Sequence, residues 1–466
     1  MLRLIHLLLV LPLSLGSISA AQQPAKPPAG PITLRVATFN LEDVRTTDLK
    51  DAAQPRLRAL AEVIQRLRPN IILLNEIAYD SESTTASGSS GQNAQRFVDR
   101  YLHHPQLEGT PALIRYRVFV APSNTGLASG FDLNNDGVIT TTYPTPPPSD
   151  ELGTPSPQTA DGRAFGEDAW GFGTFPGQYA MALLVDERLE LLTTQARTFQ
   201  KLPWDYMPGA YLPMFPSLAP NVPALAPTLD PVTDSSGATI QPNTTAPTTP
   251  ITTDPTSPAP TNPAPPTPLA PGAPWYSDEE RALMRLSSKS HWDVPVKLPN
   301  GTVLHLLCSH PTPPAFDGAE LRNKKRNYDE IRFWADYINQ QSWIVDDAGI
   351  AGGLIDFASF IVLGDLNADP DEGNSFKDPI GTLLKPIRRI NMDAAPTSNV
   401  QLPRLDPDDT AMFGLRVDYV LPSADLEIRA SGVWRHPPTL APKPGTFPSD
   451  HFPVWLDLIV PAPGAR

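Results

Sequence analysis

Between Ile32 and Ala78 the chain runs from an apolar segment to an amphipathic one and back to an apolar one. This order restricts the fold more than any other feature. ITLRVATFNL (32–41) reads as a strand. In PRLRALAEVIQRLRP (55–69), Leu57, Leu60, Ile64 and Leu67 recur at helical spacing with Arg and Glu on the opposite side, and Pro69 closes the helix. NIILLNEIA (70–78) is a second, buried strand. A strand–helix–strand unit of this length implies a parallel pair and an α/β protein.

Further strand-like segments follow at YRVFVAP (116–122), YAMALLVD (179–186), DVPVKL (293–298), TVLHLLCSH (302–310), FIVLGDLN (360–367) and VDYVLP (417–422). The last strand lies within FPSDHFPVWLDL (447–458). The clearest further helix is NYDEIRFWADYINQQ (327–341), with Ile331, Trp334, Ala335 and Ile338 on one face. Many strands and few helices predict a sheet-rich α/β sandwich.

The 466 residues include 57 prolines, and these mark the domain plan. From about 212 to 274 the chain is Pro, Thr and Ala with almost no charge, a composition that cannot bury a core. The strands resume beyond it, so it reads as an insertion within one domain spanning 32–460. A second insertion, rich in Gly, Pro and Asp, is expected at about 123–174. Residues 1–21 have the layout of a secretory signal peptide, one Arg before an apolar run and small residues after it. A Pro-rich spacer (22–31) follows, and 461–466 form a tail. Export to the periplasm or the medium is therefore expected. The lone Cys308 excludes an intrachain disulfide and cysteine metal sites, and it reads as a strand residue. The formal charge of −14 argues against a protein held on nucleic acid mainly by counterion release.

Polar residues recur at the ends of the apolar strands. Asn40 ends RVATFN, Asn75 and Glu76 end IILLNE, and His310 ends LHLLCSH. Asp365 and Asn367 end FIVLGDLN, Asp418 sits in RVDYVL, and Asp450–His451 precede the last strand. Each alone can be a cap or a turn. Together they can line one cleft, because loops at the same end of a sandwich converge. The set suits metal-assisted attack on phosphate. Glu76 and Asp450 offer hard oxygens for Mg²⁺ or Mn²⁺, a His–carboxylate pair moves protons near neutral pH, and Asn40 and Asn367 can hold oxygens without adding charge.

At RVATFNLED, NIILLNEI, LCSHPTPP, IVLGDLNADP, RVDYVLPS and PSDHFPV the chain resembles the endonuclease/exonuclease/phosphatase superfamily, the deoxyribonuclease-I-like fold. The resemblance implies a four-layer α/β sandwich of two packed mixed sheets. It implies Glu76 as the principal metal ligand, with Asn40 and Asp450 beside the metal. Asp365 would orient or deprotonate the attacking water, and Asn367 would stabilise the phosphate. His451, oriented by Asp418, would contact the phosphate and share proton transfer. His310 matches a second histidine opposite the first. The Glu that supports it in the deoxyribonuclease branch is expected near FPGQYAM, where this chain has Gly177 and Gln178.

Lys289, His291, Arg322 and Arg326 are candidate substrate contacts, with a solvated helix start as the alternative for the two arginines and plain packing as the alternative for His291. Asp132, Asn134 and Asp136 have the spacing that opens a calcium loop, but Tyr143 stands where its last acid belongs. Either a structural Ca²⁺ or a metal-free Asn–Asp–Gly turn fits. The expected protein is a monomeric, exported phosphoesterase, either a nuclease or phosphodiesterase or a phospholipid or phosphomonoester hydrolase. The competing class is a non-catalytic binding module on the same fold.

Overall fold

The computed structural model describes residues 30–50, 53–80, 90–216 and 271–464. The expected signal peptide, nearly all of the spacer and most of the Pro/Thr-rich stretch lie outside the described residues. Two six-stranded mixed sheets form the body. The first has the order β11 (Glu427–Val433), β12 (Val454–Val460), β1 (Ile32–Val44), β2 (Ile71–Ile77), β4 (Met181–Asp186) and β3 (Tyr116–Phe119). The second runs β10 (Asp418–Pro422), β9 (Ser359–Asp365), β8 (Val303–Ser309), β7 (His291–Lys297), β5 (Glu190–Leu191), with β6 (Arg197–Thr198) also on β7. Each sheet holds one parallel pair, β1–β2 and β8–β9. Helix α1 (Pro55–Leu67) joins the first pair and α5 (Arg322–Ile338) the second, with the shorter α2 (Asn93–Phe97), α3 (Ala160–Glu167) and α4 (Asp278–Leu283) between them in sequence.

Alternation along the strands builds the four layers. Leu34, Val36, Ile71, Leu73, Val294, Leu306, Leu363 and Val420 face inward and form the core between the sheets. The residues one position out of phase, such as Ala37, Phe39, Ile72 and Leu74, pack against α1, α2 (Asn93–Phe97) and the neighbouring turns. On the far side Phe360, Val362, Tyr419 and Leu421 pack against α5. Cys308 is fully buried in the inter-sheet core. The α/β sandwich expected from the sequence is the observed fold.

The same period of two decides what reaches the end of the inner layer. Asn40 is in phase with Val36, His310 with Leu306 and Cys308, Asp365 with Ile361 and Leu363, and Asp418 with Val420. Asp418 and Asp365 face each other directly across the β9–β10 ladder. Gly364 permits the close approach of β9 to β8, since a Cβ there would meet the Ser309 carbonyl oxygen at 1.9 Å.

Candidate active site

Four inward-facing side chains at one edge of the two sheets make a continuous polar cluster. The Asn40 side-chain amide donates to Glu76 Oε1 and to Asp365 Oδ2, both at 3.0 Å, and so bridges the sheets. Nε2 of His310 lies 3.4 Å from Asp365 Oδ2 and 3.9 Å from Glu76 Oε1. His451 Nδ1 is 2.8 Å from Asp418 Oδ2, and its Nε2 is 3.9 Å from Asp365 Oδ2. Asn367 gives its backbone N–H to Asp365 Oδ1 at 2.9 Å and its side-chain amide to the Pro311 carbonyl at 3.2 Å.

Glu76 is the exception to the alternation. Its neighbours Ile72 and Leu74 face outward, so simple pleating would send Glu76 away from the cleft. A left-handed backbone at Glu76 (φ 61°) re-aims it toward Asn40. Such a conformation costs about 1–3 kcal/mol in a residue with a Cβ and persists only where its surroundings impose it. Here the Asp43 N–H takes Glu76 Oε2 at 3.1 Å, and Glu42 and Asp43 are themselves left-handed (φ 55° and 52°). The Asp450 N–H in turn donates to Glu42 Oε2 at 3.1 Å, bringing a third acid beside Glu76 and Asp450. Glu42, which lies in RVATFNLED near the end of β1, is not among the site residues expected from the sequence.

The two halves of the cluster differ in charge. Burial, then the charge of Asp450, pushes Glu76 up to about 8, and the same causes push Glu42 up to about 7. At the other half, burial disfavours the Asp365 carboxylate, but the charge of His451 and the hydrogen bond from His310 outweigh it and hold Asp365 well below the usual carboxylate range. His451 is also buried, yet Asp418 and Asp365 together keep its imidazole charged well above the ordinary histidine range. Burial, reinforced by Lys289, pushes His310 down to about 4, so this ring is neutral at pH 7.

The remaining sequence candidates divide. Lys289 is buried and donates to Pro311 O at 3.2 Å, the carbonyl that also receives Asn367. Burial pushes its ammonium below the ordinary lysine range against the opposing pull of Glu330, Glu76 and Asp365, so it lies behind the cleft rather than as an exposed contact. His291 is out of phase with the inward-facing Trp292 and Val294. It lies buried against Phe333 and Trp334, with Nδ1 on Ser287 Oγ and Nε2 on Glu330 O, which leaves no ring nitrogen for a substrate. Arg326 is buried and clamps the carbonyls of Leu286, Trp170 and Arg285. Arg322 pairs with Glu167 and bonds Leu133 O. These two arginines fasten the 123–174 stretch to the body and are not free cations at the cleft.

Gln178, standing where a supporting Glu is expected, donates to Asp43 Oδ2 at 2.9 Å, and His310 Nδ1 has no hydrogen-bond partner among the described residues. The oxygens of Asp132, Asn134 and Asp136 accept backbone N–H groups of their own loop at 2.8–3.1 Å, from Asp136, Gly137 and Val138.

Glu42, Glu76 and Asp450 are hard oxygen donors, and the charge of Asp450 that helps raise Glu42 and Glu76 is of the kind a bound divalent cation relieves. Asp365, Asp418 and His451 also offer three ligand atoms within 4.8 Å of one another. Within this set Asp418 Oδ2 is already bonded to His451 Nδ1 at 2.8 Å.

No curated protein sequence matches the chain. Among solved structures it is similar to an endonuclease/exonuclease/phosphatase from Beutenbergia cavernae DSM 12333, at 15% identity over 93% of this chain and 73% of that one, TM-score 0.41. It is also similar to the human nocturnin catalytic domain with bound sulfate anion, at 12% identity over 93% and 99%, TM-score 0.37. Truncated Caenorhabditis elegans TDP2 aligns at 11% identity over 92% and 98%, TM-score 0.37. The model of the Endonuclease/Exonuclease/phosphatase family matches residues 37–451, from the strand that carries Asn40 to His451 itself. With its site residues spread over that whole span, the chain belongs to the endonuclease/exonuclease/phosphatase family.

Proposed function

We propose that the chain is an exported, divalent-cation-dependent hydrolase of phosphate diesters that attacks phosphorus with an activated water. One observation carries the reading: Asn40 links Glu76 to Asp365, and both histidines converge on the same Asp365 oxygen. Glu76, with Glu42 and Asp450, would hold Mg²⁺ or Mn²⁺, which when bound polarises the phosphoryl oxygen and offsets charge on the leaving oxygen.

The chain's own residues supply the rest. Asp365 stays ionised and accepts a hydrogen bond from the attacking water, fixing its direction. His451, cationic against Asp418, donates Nε2–H to a non-bridging phosphate oxygen and stabilises charge gained at the transition state. Asn367 offers its side-chain amide to the same group. His310 is neutral at pH 7, so it serves as an Nε2–H donor that holds Asp365 in place and not as a general acid.

A second reading concerns the substrate's other half. Met412 and Phe413 are exposed, and the Phe413 ring stands edge-on to His451 with centroids 5.4 Å apart. An apolar lip beside the phosphate site, in a chain of charge −14, favours a diester with an apolar moiety over a polyanion. The test is hydrolysis of a DNA duplex, a sphingomyelin-type lipid and a phosphomonoester by the purified chain, with Mg²⁺ and with chelator, beside Asp365→Ala and His451→Ala. Turnover of one substrate that needs both the cation and the two side chains is the expected result. No turnover under Mg²⁺, Mn²⁺ or Ca²⁺ would leave the binding-module reading.

A further inference from the structure

We propose that the surface segment 147–156 is a brace for the cation-binding end of the cleft, acting through two buried arginines beneath Glu42 and Glu76. The proposal rests on reading Glu76 as a ligand to a divalent cation. Arg45 places Nε and Nη2 on Asp43 Oδ2 at 2.8 and 2.7 Å, and spends its other donors on Pro147 O at 2.8 Å and Ser156 O at 3.0 Å. Asp43 is the residue whose N–H holds Glu76.

Arg56 donates to Gly153 O at 2.7 Å, to Leu41 O at 2.7 Å and to Pro448 O at 3.3 Å, and its backbone N–H takes Leu152 O at 3.2 Å. One guanidinium therefore joins the segment to the chain between Asn40 and Glu42 and to the turn leading to Asp450. Both arginines are about 5% exposed or less, so their donors cannot turn to water if these carbonyls move.

The segment is shaped to present those carbonyls. Asp150 Oδ1 accepts the N–H groups of Leu152 and Thr154 at 2.9 and 2.8 Å, and the Gly153 N–H returns to Asp150 O at 2.9 Å. Gly153 is left-handed (φ 91°), and a Cβ there would meet Gln54 Nε2, the side chain that caps α1, at 1.4 Å. Glu42 and Asp43, two consecutive left-handed residues, depend on support of this kind to stay in place. The other half of the cluster stands apart. Asp365, Asp418 and His451 receive no hydrogen bond from Arg45, Arg56 or 147–156 among the described residues. The brace should thus govern cation affinity and leave the proton-handling half alone.

The test uses the full chain without substrate, titrated with Mn²⁺ by calorimetry, and its melting temperature in chelator. Asp150→Ala removes a carboxylate whose bonds stay within the segment, and Arg45→Met removes the link to Asp43. Support of this kind typically governs metal affinity about 10- to 100-fold. Arg45→Met should raise the Mn²⁺ dissociation constant by that order and Asp150→Ala by less. Unchanged dissociation constants overturn the brace, and a lowered melting temperature with unchanged affinity does so too, by reducing the segment to plain structure. If the parent binds no Mn²⁺, the cation-dependent reading itself fails; if parent and variants bind equally, only the brace does.

Discussion

His451 and His291 are both buried and both near a strand end, yet their surroundings drive them in opposite directions. His451 meets carboxylates, Asp418 at 2.8 Å and Asp365 at 3.9 Å, and stays charged. His291 meets a hydroxyl and a carbonyl among aromatic rings, and burial pushes it down to about 4. A carboxylate stabilises an imidazolium by charge, whereas a carbonyl offers only a hydrogen bond, too little to offset desolvation. The contrast separates a site that moves protons from one that packs. It extends to the cleft itself, where opposite charges balance in the Asp365–His451 half and the crowded acids of the Glu42–Glu76–Asp450 half, with no cation to balance them, hold on to protons.

Removing the balanced half should have the largest effect. His451→Ala or Asp365→Ala should lower kcat/KM by about 10²–10⁴-fold, the range for loss of a positioned proton-transfer group. A loss no larger than that of a surface control would break the contrast. For His291→Ala the effect should fall on stability instead, about 2–4 kcal/mol from lost packing and stranded partners, with kcat/KM nearly unchanged. Denaturant unfolding beside steady-state kinetics separates the two outcomes.

The unbalanced half makes a pH prediction. The folded-state value of Glu76 is raised from 4.5 to about 8 without a cation. Its contribution is fully present below pH 4.5 and is lost as pH rises toward 8, because the folded chain then holds a proton that the unfolded chain has released. Mg²⁺ replaces that proton, so it should raise the melting temperature more at pH 8 than at pH 5. At a hundredfold excess over its dissociation constant the stabilisation is about 2.7 kcal/mol. Equal shifts at the two pH values would count against the acid set as the cation site. His291 carries the opposite sign: with its value lowered from 6.5 to about 4, stability should fall as pH drops between those values.

The smallest effect should come from the Pro/Thr-rich stretch. Its ends meet in a short antiparallel stem, with Phe215 N on Ala273 O at 2.8 Å, Gly272 N on Phe215 O at 2.9 Å, and Phe215 stacked on Trp275. Replacing 216–271 with Asn-Gly, a turn suited to a two-residue hairpin, should leave kcat/KM unchanged and shift stability by less than about 2 kcal/mol. A large loss of activity would give the stretch a role at the cleft.

Local periodicity was enough for the strands, the first parallel pair and a sheet-rich α/β sandwich, because pleating and helical repeat are properties of neighbouring residues; the four layers and the shared cleft were implied by the family resemblance. The phase of His291 came only with the structure: β7 begins at His291 rather than at Asp293, and its alternation with Trp292 and Val294 turns His291 from the inter-sheet face. Tertiary structure alone decided the rest. Glu76 points into the cleft against its phase because of a backbone conformation imposed from Asp43. Glu42 joins the acids through Asp450, more than four hundred residues along the chain. Arg322 and Arg326 look like free cations in sequence, yet they are used up on carbonyls brought by other segments. Charge, strain and hydrogen-bond satisfaction depend on which groups share a buried volume, and that is settled only when distant segments close around one another.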